Sequence, residues 1–493
     1  MSWIKGISTI LSGRNTLNAV FWFSALGFLR PAVNIFLLPL YLLVLTPEDY
    51  GVLALIGIFT AVAATVSNLR VDAAMRTFYF DYNQERESLW RYLSQIFSLN
   101  LTMVLIAFGI LLLAGPILYD WLFINEEVRF FPLGVISLAA AFFSSCTSIY
   151  FIYLKNQMRL KEFFTYAIWE ILAMVILQYY FTIHLNMGIL GILYGALIPN
   201  ALSFILIVLL HPGLVTFSWD RRMIAPSLKF ALPLVPFSFL FVAEKQMDKF
   251  FIEKYLNLEM VGLYALLLSL VGLVAVLFTA MDNAIRPYLY QVLKDNAPQT
   301  QKQVSNYFGL YLMVGLLGLS GVILVGCNLD LITSNAKYLS VRDYFTFACC
   351  ATLPVIFVRF YALLFIYFKK SAQLTLATAA KTLVMIFAFI ALIPAFGIYG
   401  ALTALFISHM ANLLIFKKLV GAFNVPTFVN QEMILVVILF LVLTWSLYLT
   451  LGSYSLGAFG LIQFLIMGSA LIYLNLKRIR SLAAEQISTR PNL

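Results

Sequence analysis

The chain has 493 residues, of which 62% are apolar and only 11% charged, with a formal net charge of +10. Soluble globular chains carry roughly 25% charged residues, so this composition excludes a water-soluble fold with a large catalytic domain. The positive charges lie in short connections between apolar runs, where Lys and Arg set membrane topology, and this excludes nucleic acid as their partner.

At the start of the chain, Lys5 and Arg14 precede an apolar run reaching Leu45. That run is far longer than a signal-peptide core and has no small-residue cleavage pattern, so it reads as a first span. A helix crossing the hydrocarbon needs about 20 mainly apolar residues. On that ruler the chain is predicted to be all-α and polytopic, with about fourteen transmembrane helices. The first six fall near 17–45, 51–69, 93–115, 132–154, 164–184 and 187–210. The next six fall near 229–252, 259–281, 307–327, 346–368, 372–394 and 396–416, and the last two near 432–451 and 454–476. Short turns join them, such as Thr46-Pro47-Glu48-Asp49-Tyr50-Gly51 and Gly452-Ser453. With both termini cytoplasmic, 22 Lys and Arg residues fall in inside segments and only four, Arg129, Lys254, Lys337 and Arg342, outside. A missed span would scramble so strong a bias, so the count is even.

The chain also resembles itself at an offset near 210 residues. Asp72-Ala73-Ala74-Met75-Arg76 matches Asp282-Asn283-Ala284-Ile285-Arg286, and each follows a turn with Glu and Gly, at Glu48 to Gly51 and Glu259 to Gly262. Phe151-Ile152-Tyr153-Leu154-Lys155 matches Phe365-Ile366-Tyr367-Phe368-Lys369, and Gly191-Ile192-Leu193-Tyr194-Gly195 matches Gly397-Ile398-Tyr399-Gly400. Six spans separate the copies, which gives two parallel lobes, 1–215 and 216–425, followed by two additional helices and a cytoplasmic tail over 426–493. Parallel repeats of this kind are a transporter architecture, with the substrate path at the interface between lobes.

Ionisable side chains inside a membrane cost at least about 2.5–3.5 kcal/mol on insertion scales, so each needs a cavity or a partner. Arg30, Arg359 and Lys381 fall near one depth and form a predicted cationic belt at mid-height. Span seven carries Glu244, Lys245, Asp248 and Lys249, and span five carries Glu170. The alternative reading is charge pairing: Arg30 or Lys381 with Glu170, and Lys245 or Lys249 with Glu244 and Asp248 as helical neighbours. Lys249 can also snorkel to the outer surface. Arg359 has no acid on its own helix. Asp72 with Arg76 and Asp282 with Arg286 lie at the cytoplasmic mouth, as interfacial anchors or as residues that first sample an anion. Buried cations outnumber buried acids, which favours an anionic, phosphorylated substrate over a cationic drug. Arginine adds a planar fork suited to phosphate. Cys146, Cys327, Cys349 and Cys350 read as apolar core residues, and His184, His211 and His409 as packing or loop-end residues without metal-ligand spacing. No cofactor or metal is expected.

Taken together, the chain resembles the lipid-linked oligosaccharide flippases of the polysaccharide-transporter family (the Wzx-type O-antigen translocases), within the multidrug/oligosaccharidyl-lipid/polysaccharide exporter superfamily. The resemblance runs along nearly the whole chain. It rests on the fourteen-span plan, the Pro47-Glu48-Asp49-Tyr50-Gly51 turn, Asp248-Lys249 before Val261-Gly262-Leu263-Tyr264-Ala265, and Gly397-Ile398-Tyr399-Gly400-Ala401. Where the family more often shows Asp-Arg in span seven, Asp248-Lys249 keeps the charge and loses the bidentate fork. The resemblance implies a bacterial inner-membrane protein that turns a polyprenyl-pyrophosphate-linked glycan from the cytoplasmic to the periplasmic leaflet by alternating access. Membrane lipids, a polysaccharide polymerase, and a proton or sodium ion coupled through Glu170, Asp248 or Glu244 are its expected partners. Arg76 and Arg286 are expected to meet the headgroup first, and Arg30, Arg359 and Lys381 to hold the pyrophosphate midway. A cation-coupled multidrug antiporter is the alternative transporter. A polysaccharide polymerase or ligase is the alternative enzyme, disfavoured because the longest outside loop, about 328–345, is short. No phosphate-binding P-loop motif for an ATP motor occurs.

Overall fold

The computed structural model describes Val33 and residues 37–82, 85–125, 128–157, 159–216, 219–295, 299–333, 335–421, 428–449 and 460–469. Arg30 lies outside the described residues. Every regular element among them is helical. In chain order the main helices are α1 (Pro47–Asn68), α2 (Val71–Tyr82), α3 (Arg86–Leu122), α4 (Val135–Asn156), α5 (Leu160–Tyr179), α6 (Gly188–Leu210) and α7 (Arg221–Ala231). There follow α8 (Val235–Tyr255), α9 (Leu258–Asp295), α10 (Thr300–Cys327), the single turn α11 (Ala336–Leu339), α12 (Arg342–Tyr367), α13 (Ser371–Val420) and α14 (Gln431–Leu449). The chain is an all-α, multi-pass membrane protein.

Ten helices among the described residues are long and apolar enough to cross a membrane. One of them, Ala372–Val420, is 49 residues long and covers two predicted spans. They meet at Gly397, whose φ of 59° and ψ of −134° are non-helical and suit a residue without a Cβ. The first span is described only in part, and the last only over Gly460–Ser469. Several helices outrun their predicted spans, because the flanking charged turns continue the same helix. α3 and α9 reach 37 and 38 residues.

The Thr46–Gly51 stretch is not a loose turn but the start of α1. Thr46 Oγ1 accepts from the Asp49 amide at 3.2 Å, and Asp49 Oδ2 accepts from the Thr46 amide at 3.0 Å. This reciprocal cap, with Pro47 at the first helical position, starts the helix four residues earlier than hydropathy suggests.

The chain divides into two compact units, Met1–Gly262 and Leu263–Leu493. In the first, α1 packs on α3, α4 and α8, while α6 packs on α4 and α5. Its inner end holds an aromatic core that includes Tyr92, Phe97, Tyr150 and Phe163. The segment following α6 is fastened to this core. Tyr150 Oη and His211 Nε2 lie 2.8 Å apart, Ser98 Oγ accepts from the Thr216 amide at 2.9 Å, and Tyr92 Oη lies 3.0 Å from Ser227 Oγ. Asp220 caps α7 and also pairs with Arg91 at 3.3 Å. As a result α7 is amphipathic and docked, with Ile224 and Ser227 buried and Arg221, Arg222 and Lys229 exposed. In the second unit, α12 packs on α10 and α13, and α14 covers α10 and α12.

The repeated glycines do the same job in both units. A Cβ at Gly195 would strike Gln178, including its backbone nitrogen at 2.8 Å, and one at Gly400 would fall on the Leu392 carbonyl. Each closes a tight helical hairpin, α5 against α6 and the first arm of α13 against the second. Small residues allow backbones this close inside a membrane.

Two expectations follow. Gly400→Val should destabilise the detergent-solubilised protein by about 3 kcal/mol or more, since the obstacle is backbone that cannot rotate away. Gly272→Ala, with nothing within 4 Å of the new methyl, should leave the melting temperature nearly unchanged. His211 lies just past the end of α6, and burial lowers its pKa below the ordinary imidazole value of about 6.5. The folded state therefore favours the neutral ring. That contribution is complete above the unfolded value and is lost as pH falls through the lowered one. Melting temperature should decline on acidification below about pH 6.5, and His211→Phe should flatten the decline.

Candidate functional site

The second unit gathers three of the sequence-predicted residues, Asp282, Arg286 and Arg359, around a face of α9. Arg359 projects from α12 across Ala275, Phe278 and Asp282, which share one side of α9 at three- and four-residue spacing. Its Nη1 donates to the Ala275 carbonyl at 3.4 Å and lies 3.5 Å from Asp282 Oδ2. The guanidinium carbon sits 5.6 Å from the centre of the Phe278 ring. Tyr311 of α10 completes the cluster. Its hydroxyl donates to Asp282 Oδ1 at 2.8 Å, and its ring stacks on Phe278 at 4.9 Å between centroids.

Arg286 is one turn beyond Asp282. A further turn along, the Tyr290 hydroxyl donates to the Leu363 carbonyl of α12 at 3.1 Å. Arg286 is therefore flanked on both sides by contacts to α12. Its Nε is buried without a hydrogen-bond partner. The carboxylate of Asp282 thus serves Tyr311 and Arg359, with a second guanidinium close by. Two fixed positive charges share one negative charge. The cluster keeps a net charge of about +1, because arginine does not titrate.

The matching motif of the first unit is built differently. There α1 and α2 are separate helices, because Leu69 and Arg70 both take left-handed φ values of 41° and 63°. Asp72 pairs locally, with Arg70 at 3.7 Å and with Arg76 at 3.8 Å. The same motif pairs along one helix in the first unit and across helices in the second.

The remaining predicted residues are dispersed. Lys381 is 4% exposed and Glu170 8% exposed, and neither is free of partners. On α8, Asp248 is buried, and the Lys249 ammonium donates to Gln246 Oε1 at 2.8 Å. Glu244 is half-buried and also partnered. Lys245 corrects the sequence-based expectation of a buried cation. It is exposed, with its ammonium 5.9 Å from the Phe241 ring. Three positions apart on one helix, Lys245 and Asp248 lie along the same face, so exposure along that face changes within a single turn. Among the described residues, no three His, Cys, Asp or Glu side chains group as metal ligands.

Comparison with known proteins places this geometry. The sequence profile of a family described as "polysaccharide biosynthesis protein" matches residues 43–314, more than half of the chain. The chain belongs to the polysaccharide biosynthesis protein family. No curated protein matches it in sequence. Among solved structures, the lipid II flippase MurJ in an inward closed conformation superposes with a TM-score of 0.66 at 14% identity, covering 95% of this chain and 99% of that one. An inward-facing multidrug resistance MATE family transporter of the MOP superfamily gives a TM-score of 0.62 at 14% identity, covering 78% of this chain and 93% of that one. A MATE transporter in complex with MaD3S gives 0.54 at 16% identity, covering 82% and 96%. These likenesses show that this family member has the fold of those proteins.

Two parts of the cluster escape a sequence reading. Tyr311 and Phe278 lie in apolar runs where aromatic residues are abundant, and only the packing of α9 on α10 turns them toward a charge. Asp282 was legible as a motif residue, but its partner Arg359 lies 77 positions further along the chain.

Arg359→Ala should lower the melting temperature, because it removes the ion pair of the half-buried Asp282 and leaves it the Tyr311 hydroxyl and the nearby Arg286. The loss should be about 1–2 kcal/mol, below the roughly 3–5 of a fully buried broken pair, since both side chains keep some exposure. Asp282→Asn combined with Arg359→Ala should cost less than the two single changes added together. A double-mutant cycle on thermal unfolding in detergent measures that coupling. A coupling near zero would show that the pair does not act as a unit.

Proposed function

We propose that this protein carries a polyprenyl-pyrophosphate-linked oligosaccharide repeat unit from the cytoplasmic to the periplasmic leaflet of a bacterial inner membrane, for cell-surface polysaccharide assembly. The observation that carries the reading is the Arg286–Asp282–Arg359 arrangement. One guanidinium pairs with a carboxylate within an apolar helical bundle, and a second, one turn along, holds a buried donor with no partner. Such a donor favours an oxygen-rich anion, and pyrophosphate offers the bidentate geometry that arginine matches. A lipophilic cation would meet net repulsion at the same place.

In this reading Arg76 and Arg286 meet the headgroup first, and Arg30, Arg359 and Lys381 hold it midway. Asp282 acts as the resident counter-ion, keeping Arg359 paired until the phosphate replaces it. Tyr311 stays bonded to the carboxylate and limits how far it can swing. The glycan crosses through a polar path while the prenyl chain remains in lipid, so the protein works as a carrier and not as an enzyme. Membership of a polysaccharide biosynthesis family supports a glycan cargo. The fold shared with a lipid II flippase supports a lipid-linked one. A MATE family transporter of the same fold has been solved both inward-facing and outward-facing, which supports alternating access. Moving about two negative charges outward across 100 mV, inside negative, releases about 4–5 kcal/mol. The membrane potential alone can therefore drive the step. Coupling to a proton or sodium ion through Glu170, Asp248 or Glu244 is the competing mechanism.

Mass spectrometry of polyprenyl-linked glycans, in cells with and without the protein, tests the cargo. Loss of the protein should accumulate one short repeat unit on its pyrophosphate carrier at the inner face. Restoring the wild-type chain should clear it, Arg359→Ala should not, and Arg359→Lys should clear it in part. An unchanged lipid pool with altered sensitivity to cationic toxins would replace this reading with drug antiport.

A further inference from the structure

Three connections that the Lys/Arg bias assigns to the outer side meet in the first unit: the start of α1, the end of α3, and the turn from α8 into α9. We infer that a two-part clasp formed there by Glu253 and the Gly51–Gly262 crossing holds the outer side of this carrier closed and is released during transport.

The first part is a carboxylate clip. Glu253, near the end of α8, is buried at 6% exposure. Its Oε1 accepts from two successive backbone amides just past α3, Ile124 at 2.8 Å and Asn125 at 3.1 Å. Its Oε2 is buried with no hydrogen-bond partner. A carboxylate serving as a permanent anchor would be expected to fill its acceptor positions, since a buried unsatisfied oxygen is costly. Here half of the capacity is unused. Separation would let water solvate the carboxylate and both amides at once, so the clip is held without being locked.

The second part is a crossing of two backbones. A Cβ at Gly51 would fall on the Leu258 carbonyl and lie 3.2 Å from the Gly262 nitrogen. A Cβ at Gly262 would fall on the Pro47 carbonyl and lie 2.9 Å from the Gly51 nitrogen. The contact is reciprocal, and the two glycines occupy equivalent positions in the internal repeat. Tyr50, Val52, Leu258 and Val261 are buried around it. Glycine lets the helices touch without interdigitating side chains, so they can part without unthreading a packed seam. Both parts hang on the α8–α9 corner. α8 also carries Asp248 and Lys249, so a shift of this helix would move the charges and the clasp together.

The inference rests on the alternating-access reading, because a carrier must seal one side while it loads from the other. Its test needs no substrate. Leu258→Cys places a thiol at a position that is 3% exposed, and a membrane-impermeant maleimide is applied from outside, with the chain lacking this substitution as the blank. Adding Glu253→Ala or Gly51→Val should raise the labelling rate about tenfold, the population shift given by about 1.4 kcal/mol. Glu253→Gln keeps an acceptor oxygen for the two amides and should label near the parent rate, which also controls for folding. Slow labelling in both Glu253→Ala and Gly51→Val, in protein that remains monodisperse, would overturn the clasp and leave the cargo assignment standing. Fast labelling in those variants without any glycan-lipid accumulation on loss of the protein would do the reverse.

Discussion

The hydrocarbon core of a membrane offers no water to hydrogen-bond a polar group, and each feature of this protein answers to that shortage. Backbone amides and carbonyls must be satisfied within the chain, which leaves the helix as the available element for a bundle of this kind. Side chains obey the same rule less strictly. Where a carboxylate lies within the bundle, as Asp282 does, the structure surrounds it with a hydroxyl donor and a guanidinium. Where an amide is buried, as at Gln178, it accepts from the Tyr41 hydroxyl at 2.8 Å and donates to the Ile192 carbonyl at 3.2 Å. Polar groups that escape this rule stand out against the rest, and the Nε of Arg286 and the Oε2 of Glu253 are two of them.

With hydrophobic burial weakened as a driving force between helices in lipid, close packing takes its place. Glycines stand at matching positions of the internal repeat where backbones meet. Gly195 and Gly400 close equivalent hairpins, and Gly51 and Gly262 touch one another across equivalent helix starts. The matching charges pair differently in the two units. A left-handed break at Leu69–Arg70 gives Asp72 two nearby arginines on its own stretch of chain. The unbroken α9 presents Asp282 to α10 and α12, so its partners come from other helices. One sequence pattern thus forms a local ion pair in one unit and an inter-helix cluster in the other.

The chain belongs to a polysaccharide biosynthesis family, and its fold is shared with a lipid II flippase and with drug transporters. The sign and geometry of the interior charges are where members of such a fold can differ. In the Asp282 cluster both cations, Arg286 and Arg359, are arginine, which holds its charge at any physiological pH. That excess of positive charge is the sign the proposed anionic cargo requires.

Much of this was legible along the chain. Hydropathy gave an all-α, multi-pass protein, because spanning length and composition leave so few alternatives. The Lys/Arg bias assigned sides, and the helix ends that meet in the first unit, such as Tyr150 with His211 and Glu253 with Ile124, lie on matching ones. The repeat was readable because its glycines are constrained by backbone contact. What remained hidden depended on side-chain direction between distant helices. Lys245 and Lys249 look equivalent in sequence, yet Lys245 is exposed and Lys249 bonds Gln246. Glu253 reads as an ordinary charge beside Lys254 until the end of α3 is brought against it. A charge on a spanning helix announces that a partner must exist, since the membrane makes isolation expensive. Which partner it finds is decided only when the helices pack.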